Sequence, residues 1–205
     1  MRGSTRLRRA ALVTVTTLMV AMLVGCTGRG GGQLPPSAPA FTGAASFGFS
    51  FSCERSSKST STNPPAGRLR IQLSYTEGGA WLPIGTGFTI HGTADIVDPV
   101  LESMVCLGQN PPTTPNELIF LGSYRAPTSG STGFPKSCPA KETTTRPLCR
   151  FEVLVRDNDL SRGPSKGDFF SISLSSTTDF GSVLLPGTVF YTRAGFLDSG
   201  NLKVD

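Results

Sequence analysis

The sequence predicts an all-β protein with a single antiparallel, sandwich-like β domain, and three observations support this prediction. Short runs that alternate apolar and polar residues recur along the chain, as they do in strands that are buried on one side. Clusters of glycine, proline, asparagine and serine separate the runs, and the 205 residues include 24 glycines and 16 prolines. After residue 26, no long apolar stretch has the 3.6-residue period of a helix.

Each predicted strand rests on such an alternating run. The clearest run begins at Ala45, where apolar side chains alternate with serine and glycine as far as Cys53. Later runs follow the same rule, as in Phe151, Val153 and Val155, which alternate with polar residues that include Glu152 and the flanking Arg150 and Arg156. Turn-forming clusters, such as the one at 110–116, divide the runs. In order, the predicted strands span 45–53, 69–75, 88–91, 102–107, 118–124, 151–155, 170–174, 189–191 and 202–204.

The first 25 residues have the composition of a secretory signal peptide. Residues 1–9 contain four arginines and no acid, and residues 10–25 are apolar apart from three threonines. This run of 16 residues is shorter than the roughly 20 residues that a membrane-spanning helix needs. A basic start, a short apolar core and small residues before a cut site are typical of an export signal. We therefore predict a signal peptide over 1–25.

The last four residues of this region, Leu23-Val24-Gly25-Cys26, resemble the lipobox of bacterial lipoproteins. The resemblance implies that Cys26 carries diacylglycerol through a thioether and becomes the first residue after cleavage. A pair of acyl chains gives stable anchoring, whereas one chain binds only marginally. The expected partner is thus the cell membrane, on its extracytoplasmic face. An ordinary secretory peptide with a chance cysteine and an uncleaved membrane anchor are the alternatives.

The composition after the signal peptide excludes one class of partner. The whole chain has a formal net charge of +5, but four arginines lie in the first 25 residues, which leaves 15 basic and 14 acidic residues. No run of basic residues interleaved with aromatics is present, so nucleic-acid binding is not predicted. Residues 26–44 are rich in glycine and then proline, which predicts a flexible tether. The β domain is predicted over 45–205.

Three segments of the domain resemble parts of the post-COAP domain of secreted bacterial proteins. The segment 151–159, Phe-Glu-Val-Leu-Val-Arg-Asp-Asn-Asp, is followed by Gly-Asp-Phe-Phe-Ser-Ile at 167–172, and both look like the central motif of that family. The ending over 194–204 is similar to the family's closing segment, with leucine at 202 in place of isoleucine. The resemblance implies a small secreted β module attached to varied partners, and it implies no established activity.

Four cysteines remain after Cys26, and an even number in an exported protein predicts two disulfides. We favour Cys138–Cys149, which would tie down the long irregular segment 126–147, and by exclusion Cys53–Cys106. Three pairings are possible, and the sequence does not decide among them. A zinc site is disfavoured because the shortest gap between these cysteines is 11 residues, far from the C-x₂-C spacing of zinc ligands.

Asp157, Asp159 and Asp168 form the best candidate ion site, because calcium takes six to eight oxygen ligands, often from aspartates in a loop. A turn in which Asp and Asn side chains bond their own backbone explains the same residues. We favour the turn and keep a Ca²⁺-stabilised adhesion module as a weak alternative.

The chain has one histidine, His91, so any mechanism of the Ser-His-Asp or Cys-His type must use it. No nucleophile-elbow motif accompanies it, and the glutamates are scattered. The predicted function is a non-catalytic binding or structural module at the cell surface, with an envelope protein or glycan as a possible partner and no cofactor. A cell-envelope hydrolase that uses carboxylates or His91 is the alternative.

Overall fold

The structure, a computed structural model, describes residues 27–55, 67–81, 85–94, 116–128, 133–143, 146–158, 167–178 and 187–204. The described residues contain nine strands and no helix, which confirms the all-β prediction. The strands are β1 (Thr27–Leu34), β2 (Ala45–Arg55), β3 (Gly67–Glu77), β4 (Phe88–Thr93), β5 (Glu117–Arg125), β6 (Cys149–Arg156), β7 (Phe169–Ser175), β8 (Val189–Phe196) and β9 (Ser199–Val204). The strand predicted at 102–107 lies outside the described residues.

All nine strands belong to one antiparallel sheet, in the order β8-β7-β6-β5-β4-β3-β2-β1-β9. From β1 to β8, each strand pairs with the next one along the chain, whereas β9 returns to pair with the other side of β1. Antiparallel neighbours of this kind can be joined by simple turns, because each strand ends where the next one starts. The described strands thus form a single continuous antiparallel sheet, and the sandwich-like packing stays a prediction.

The sheet curls so that its two outermost strands, β8 and β9, come together. Only Leu197 and Asp198 lie between these strands in the chain. Asp168, just before β7, holds the junction: its backbone carbonyl accepts a hydrogen bond from the N–H of Leu197 at 2.9 Å. Its carboxylate accepts a second bond, from the N–H of Leu202 in β9, at 2.8 Å. The curl therefore encloses the inner face of the sheet.

Aromatic and aliphatic side chains fill the inside of this curl. Phe47 of β2 stacks on Phe170 of β7, with ring centroids 3.6 Å apart, although four strands lie between β2 and β7 in the sheet order. Phe120 of β5 is fully buried, and its ring centroid lies 5.5 Å from those of both Phe49 and Phe51. Burying one such side chain contributes roughly 1.5–3 kcal/mol. Contacts across the curl therefore supply the core that a flat sheet would lack.

Strand β1 occupies residues 27–34, inside the segment 26–44 where the sequence predicts a flexible tether before a domain that starts at residue 45. Residues 27–34 pair with β2 along their whole length, and 28–33 pair with β9 on the other side. The main chain supplies every bond of such a ladder, so a strand needs no particular side chains to pair on both sides. The described domain therefore includes the glycine-rich segment as an interior strand.

The glycines of β1 belong in the sheet because the core leaves no room for side chains at those positions. Gly30 pairs with Phe49, and a Cβ atom at Gly30 would lie 2.5 Å from the carbonyl oxygen of Asn201. A Cβ at Gly32 would lie 2.5 Å from the carbonyl oxygen of Ser199. Glycine weakens a strand by its conformational entropy, and it is expected where another backbone approaches closely. The close approach of β9 and the core is the physical reason that residues 27–34 form a strand where the sequence predicts a tether.

Candidate functional site

The strongest concentration of polar chemistry in the described residues is buried inside the curl. Glu77, at the end of β3, is 1% exposed, and Arg193 of β8 is 2% exposed. The Nη1 atom of Arg193 donates a hydrogen bond to Oε2 of Glu77 at 2.6 Å. Two buried charges are tolerated only where they are paired and their remaining polar atoms are bonded. This pair joins strands from opposite sides of the curled sheet.

Two tyrosines complete this buried cluster. The hydroxyl oxygens of Tyr75 and Tyr191 lie 2.6 Å apart, and the Tyr191 hydroxyl donates to Oε2 of Glu77 at 2.8 Å. The other end of the guanidinium group of Arg193 donates to the carbonyl oxygens of Pro35 and Gly43, at 2.7 and 3.0 Å. The cluster therefore also holds the segment that links β1 to β2. We call Tyr75, Glu77, Tyr191 and Arg193 the polar cluster.

The polar cluster suits a structural role better than a reactive one. Burial is the main reason that the pKa values of Tyr75 and Tyr191 lie above the ordinary value of 10. Both phenols therefore stay neutral and act as hydrogen-bond donors at physiological pH. Both charged side chains of the cluster are almost fully buried, so a ligand in solvent would not reach Glu77 or Arg193 directly.

His91 lies on the outer face of the sheet, beside an open groove of about 630 Å³. It is opposite Ser74 of β3, which is in turn opposite Gly48 of β2, where no side chain fills the space. The described lining of the groove has no acidic residue, and although most of its surface is apolar, its polar side chains include Ser50, Gln72 and Thr93. A catalytic histidine needs a group that orients and stabilises its imidazolium form, usually a carboxylate. This groove fits hydrogen bonding to a polar ligand better than it fits hydrolysis.

The carboxylates that the hydrolase alternative would need do not come together among the described residues. Glu77 is inside the curl, whereas Glu117 of β5 forms an ion pair with Arg156 on the outer face. Glu152, on β6, is opposite Ser173 of β7. The alternative of a hydrolase with paired carboxylates therefore gains no support from these positions.

The residues of the weak calcium candidate have other bonds. Asp168 is fully buried, and its carboxylate accepts backbone hydrogen bonds from Asn158 at 3.2 Å and from Leu202 at 2.8 Å. The N–H of Asp157 donates to the carbonyl oxygen of Asn116 at 2.8 Å. Asp159 lies outside the described residues. Asp168 acts as a cross-link between a turn and β9, and no group of three or more His, Cys, Asp or Glu side chains among the described residues is arranged to hold a metal ion.

A disulfide joins Cys138 to Cys149, as predicted, with their Cα atoms 5.3 Å apart. It ties the segment after β5 to the first residue of β6, and both cysteines are buried. The hydroxyl of Tyr124 donates to the carbonyl oxygen of Ser175 at 3.0 Å beside this bond. Cys106 and the side chain of Cys53 lie outside the described residues, so the second pairing stays a prediction.

Cys26, the predicted lipid attachment site, also lies outside the described residues, but its chain neighbour Thr27 is the first residue of β1. None of the described segments contains a helix with the length and apolar character required to span a membrane.

Comparison with known proteins gives no relative: no family model, no curated protein and no solved structure matches this chain. The resemblance to lipoproteins and to the post-COAP domain therefore stays a prediction from the sequence.

Sequence reasoning missed the polar cluster, although one signal was present. The alternating run of Leu69, Ile71, Leu73 and Tyr75 continues to Glu77, which places a carboxylate on the buried side of β3. A charge at such a position requires a buried partner. The partner, Arg193, is 116 residues away in the chain, and nothing local in the sequence selects it.

Proposed function

We propose that this protein is an exported lipoprotein, anchored at the extracytoplasmic face of the cell membrane by a lipid on Cys26, with a non-catalytic β domain. The observation that carries the proposal is the Cys138–Cys149 disulfide, within a chain whose start has the pattern of a lipoprotein signal. Disulfides form and persist in oxidising compartments outside the cytosol. In the cytosol, by contrast, thiols are kept reduced.

The anchor is tested by metabolic labelling with a fatty-acid analogue. We expect the wild-type protein to be labelled and the Cys26→Ala variant to be unlabelled, because the thioether needs the thiol. Mass spectrometry of the amino-terminal peptide should locate the lipid on residue 26. Cys138→Ala is the matched control, since it removes a cysteine elsewhere and should leave the label in place. Equal labelling of wild type and Cys26→Ala would refute the anchor.

The groove beside His91 supports a binding role for the domain. Its described side chains offer hydroxyl, amide and imidazole groups, which suit hydrogen bonding to the polar groups of an envelope glycan or an extended peptide. Open grooves with a few convergent polar groups are the default places to look for ligands. We propose this groove as the contact surface of the module.

Gly48 allows a test of the groove that spares the fold. A Cβ atom there would meet only the carbonyl oxygen of Gly30, at the ordinary contact distance of 4.0 Å. We expect Gly48→Leu to fill the groove and to abolish co-sedimentation of the protein with isolated cell-wall glycan, while the melting temperature stays close to that of the wild type. Gln33→Leu, at an exposed position of β1, is the control. Binding that survives in Gly48→Leu would count against the groove.

A further inference from the structure

No spacer separates Cys26 from the folded sheet, because Thr27 already pairs with Ser52 of β2. Adjacent Cα atoms of a chain lie 3.8 Å apart. Under the proposed function, a lipid on Cys26 thus brings this end of the sheet to the membrane surface. The side chains around Thr27 then decide how the domain meets the headgroups.

Three exposed cations lie on the outer face close to Thr27. Arg70 of β3 lies in the same cross-strand row, because Thr27 is opposite Ser52 and Ser52 is opposite Arg70. Arg29 of β1 lies two residues beyond Thr27 on the same face, and Lys203 of β9 is its direct cross-strand partner. With strands about 4.8 Å apart and a rise of about 3.4 Å per residue, all three Cα atoms lie within about 10 Å of Thr27.

The described charge on this part of the outer face has one sign. The outward positions of β9, β1, β2, β3 and β4 whose side chains are described include no acid. Like charges directly opposite each other, as at Arg29 and Lys203, weaken a strand pair. An anionic surface against this face would offset that repulsion.

We propose that this end of the sheet lies on anionic lipid headgroups, with Arg29, Arg70 and Lys203 as the contacting residues. The proposal rests on the lipid anchor at Cys26 and goes beyond it, because it fixes the orientation of the domain. Each cation held near an anionic bilayer raises the affinity about fivefold. The contact should therefore weaken when salt shortens the range of the charges.

The test uses the protein purified from cell membranes and reconstituted in vesicles of phosphatidylcholine, with or without phosphatidylglycerol. A limiting amount of an amine-acetylating reagent is added, and modification of single lysines is measured by mass spectrometry. We expect Lys203 to react about fivefold more slowly on the anionic vesicles. Lys141 is the internal control, because it follows the end of β5. The Thr27 end of β1, in contrast, lies beside Leu118 at the start of β5.

Two double variants separate local contact from overall charge. Arg29→Gln with Arg70→Gln should restore fast modification of Lys203 on anionic vesicles. Arg125→Gln with Lys136→Gln removes the same charge from other exposed positions and should leave Lys203 protected. Equal rates for Lys203 on both kinds of vesicle, or equal effects of the two double variants, would overturn the orientation.

The amino-terminal peptide from the same digest reports the lipid on Cys26. A lipid-bearing Cys26 with equal Lys203 rates refutes the orientation alone, whereas a Cys26 without lipid refutes the anchor and the orientation with it.

Discussion

The inside of the curled sheet has two halves that are closed by different physical means. In the glycine half, a strand whose inward positions are glycines as far as Leu34 pairs with a strand rich in phenylalanine. In the polar half, two charges and two hydroxyl groups bond across the curl. The residues of the glycine half are Gly28, Gly30, Gly32, Phe47, Phe49 and Phe51, and those of the polar half are Tyr75, Glu77, Tyr191 and Arg193.

The two halves should be destabilised by different kinds of substitution: the glycine half by added side-chain volume, and the polar half by the loss of a charged partner. The glycine half tolerates no added volume, since the backbone of β9 occupies the space where a side chain at Gly30 would go. The polar half tolerates no lost partner, since Glu77 would remain buried as an uncompensated charge. Perturbing each half with a matched control elsewhere in the sheet should therefore distinguish them.

The largest effect is expected from alkaline pH, which acts on the polar half. All three tyrosines of the chain are buried, and burial raises the pKa values of Tyr75, Tyr124 and Tyr191 above 10. The unfolded chain loses these protons near pH 10, whereas the folded protein retains them. The contribution of these buried, neutral tyrosines to the free energy of unfolding is therefore constant below pH 10. Above pH 10, the free energy of unfolding falls by up to about 1.4 kcal/mol per pH unit for each tyrosine.

We therefore expect tyrosinate absorbance to rise only as the circular dichroism of the sheet is lost, in one cooperative step above pH 10. A gradual rise in absorbance near pH 10, with the sheet intact, would show that the tyrosines are accessible and would contradict the buried cluster.

The next largest effect is expected from Arg193→Ala, which leaves the carboxylate of Glu77 without its cation. Breaking a buried pair by removing one partner costs about 3–5 kcal/mol. Arg156→Ala is the matched control, because Arg156 pairs with Glu117 on the outer face and its side chain is 49% exposed. An exposed pair contributes about 0–1 kcal/mol. Urea unfolding of both variants measures the contrast, and similar losses would mean that the two pairs are equally exposed to solvent.

A smaller loss is expected from Gly30→Ala in the glycine half. Its methyl group would meet the carbonyl oxygen of Asn201 at 2.5 Å and the Cα atom of Leu202 at 2.9 Å, so β9 must shift. Overpacking of this kind costs about 1–3 kcal/mol. Gly48→Ala, on the outer face of β2, should be neutral or slightly stabilising, because its methyl group has room. If the two glycine variants unfold at the same urea concentration, β1 does not pack against β9 as described.

The sequence predicted the strands whose side chains alternate, and it missed the parts that depend on contacts across the curl. Residues 45–53 and 151–155 alternate clearly, so β2 and β6 were expected. Strand β1 could not be found in this way, because its inward positions 28, 30 and 32 are glycines and no apolar side chain alternates with the polar ones before Leu34. The favoured Cys138–Cys149 pairing could be predicted because the two residues are only 11 positions apart in the chain.

The closure of the sheet is a property that alternation does not encode. Strands in two packed sheets and strands in one curled sheet both bury every second side chain. What distinguishes them here is the short link of Leu197 and Asp198 between β8 and β9, and the bonds of Asp168 to Leu197 in that link and to Leu202 in β9. Asp168 was chosen from the sequence as a possible calcium ligand, and the structure gives its carboxylate two backbone partners instead.

Amide hydrogen exchange over residues 28–34 tests the central claim most directly, because a strand held on both sides and a flexible tether differ there by orders of magnitude. The account predicts slow exchange for these amides, comparable with that of 46–52 in β2, since main-chain bonds to β2 and β9 protect them. Exchange of 28–34 at the rate of an unstructured chain would contradict it, and would remove both the interior strand and the close contact between the sheet and the membrane.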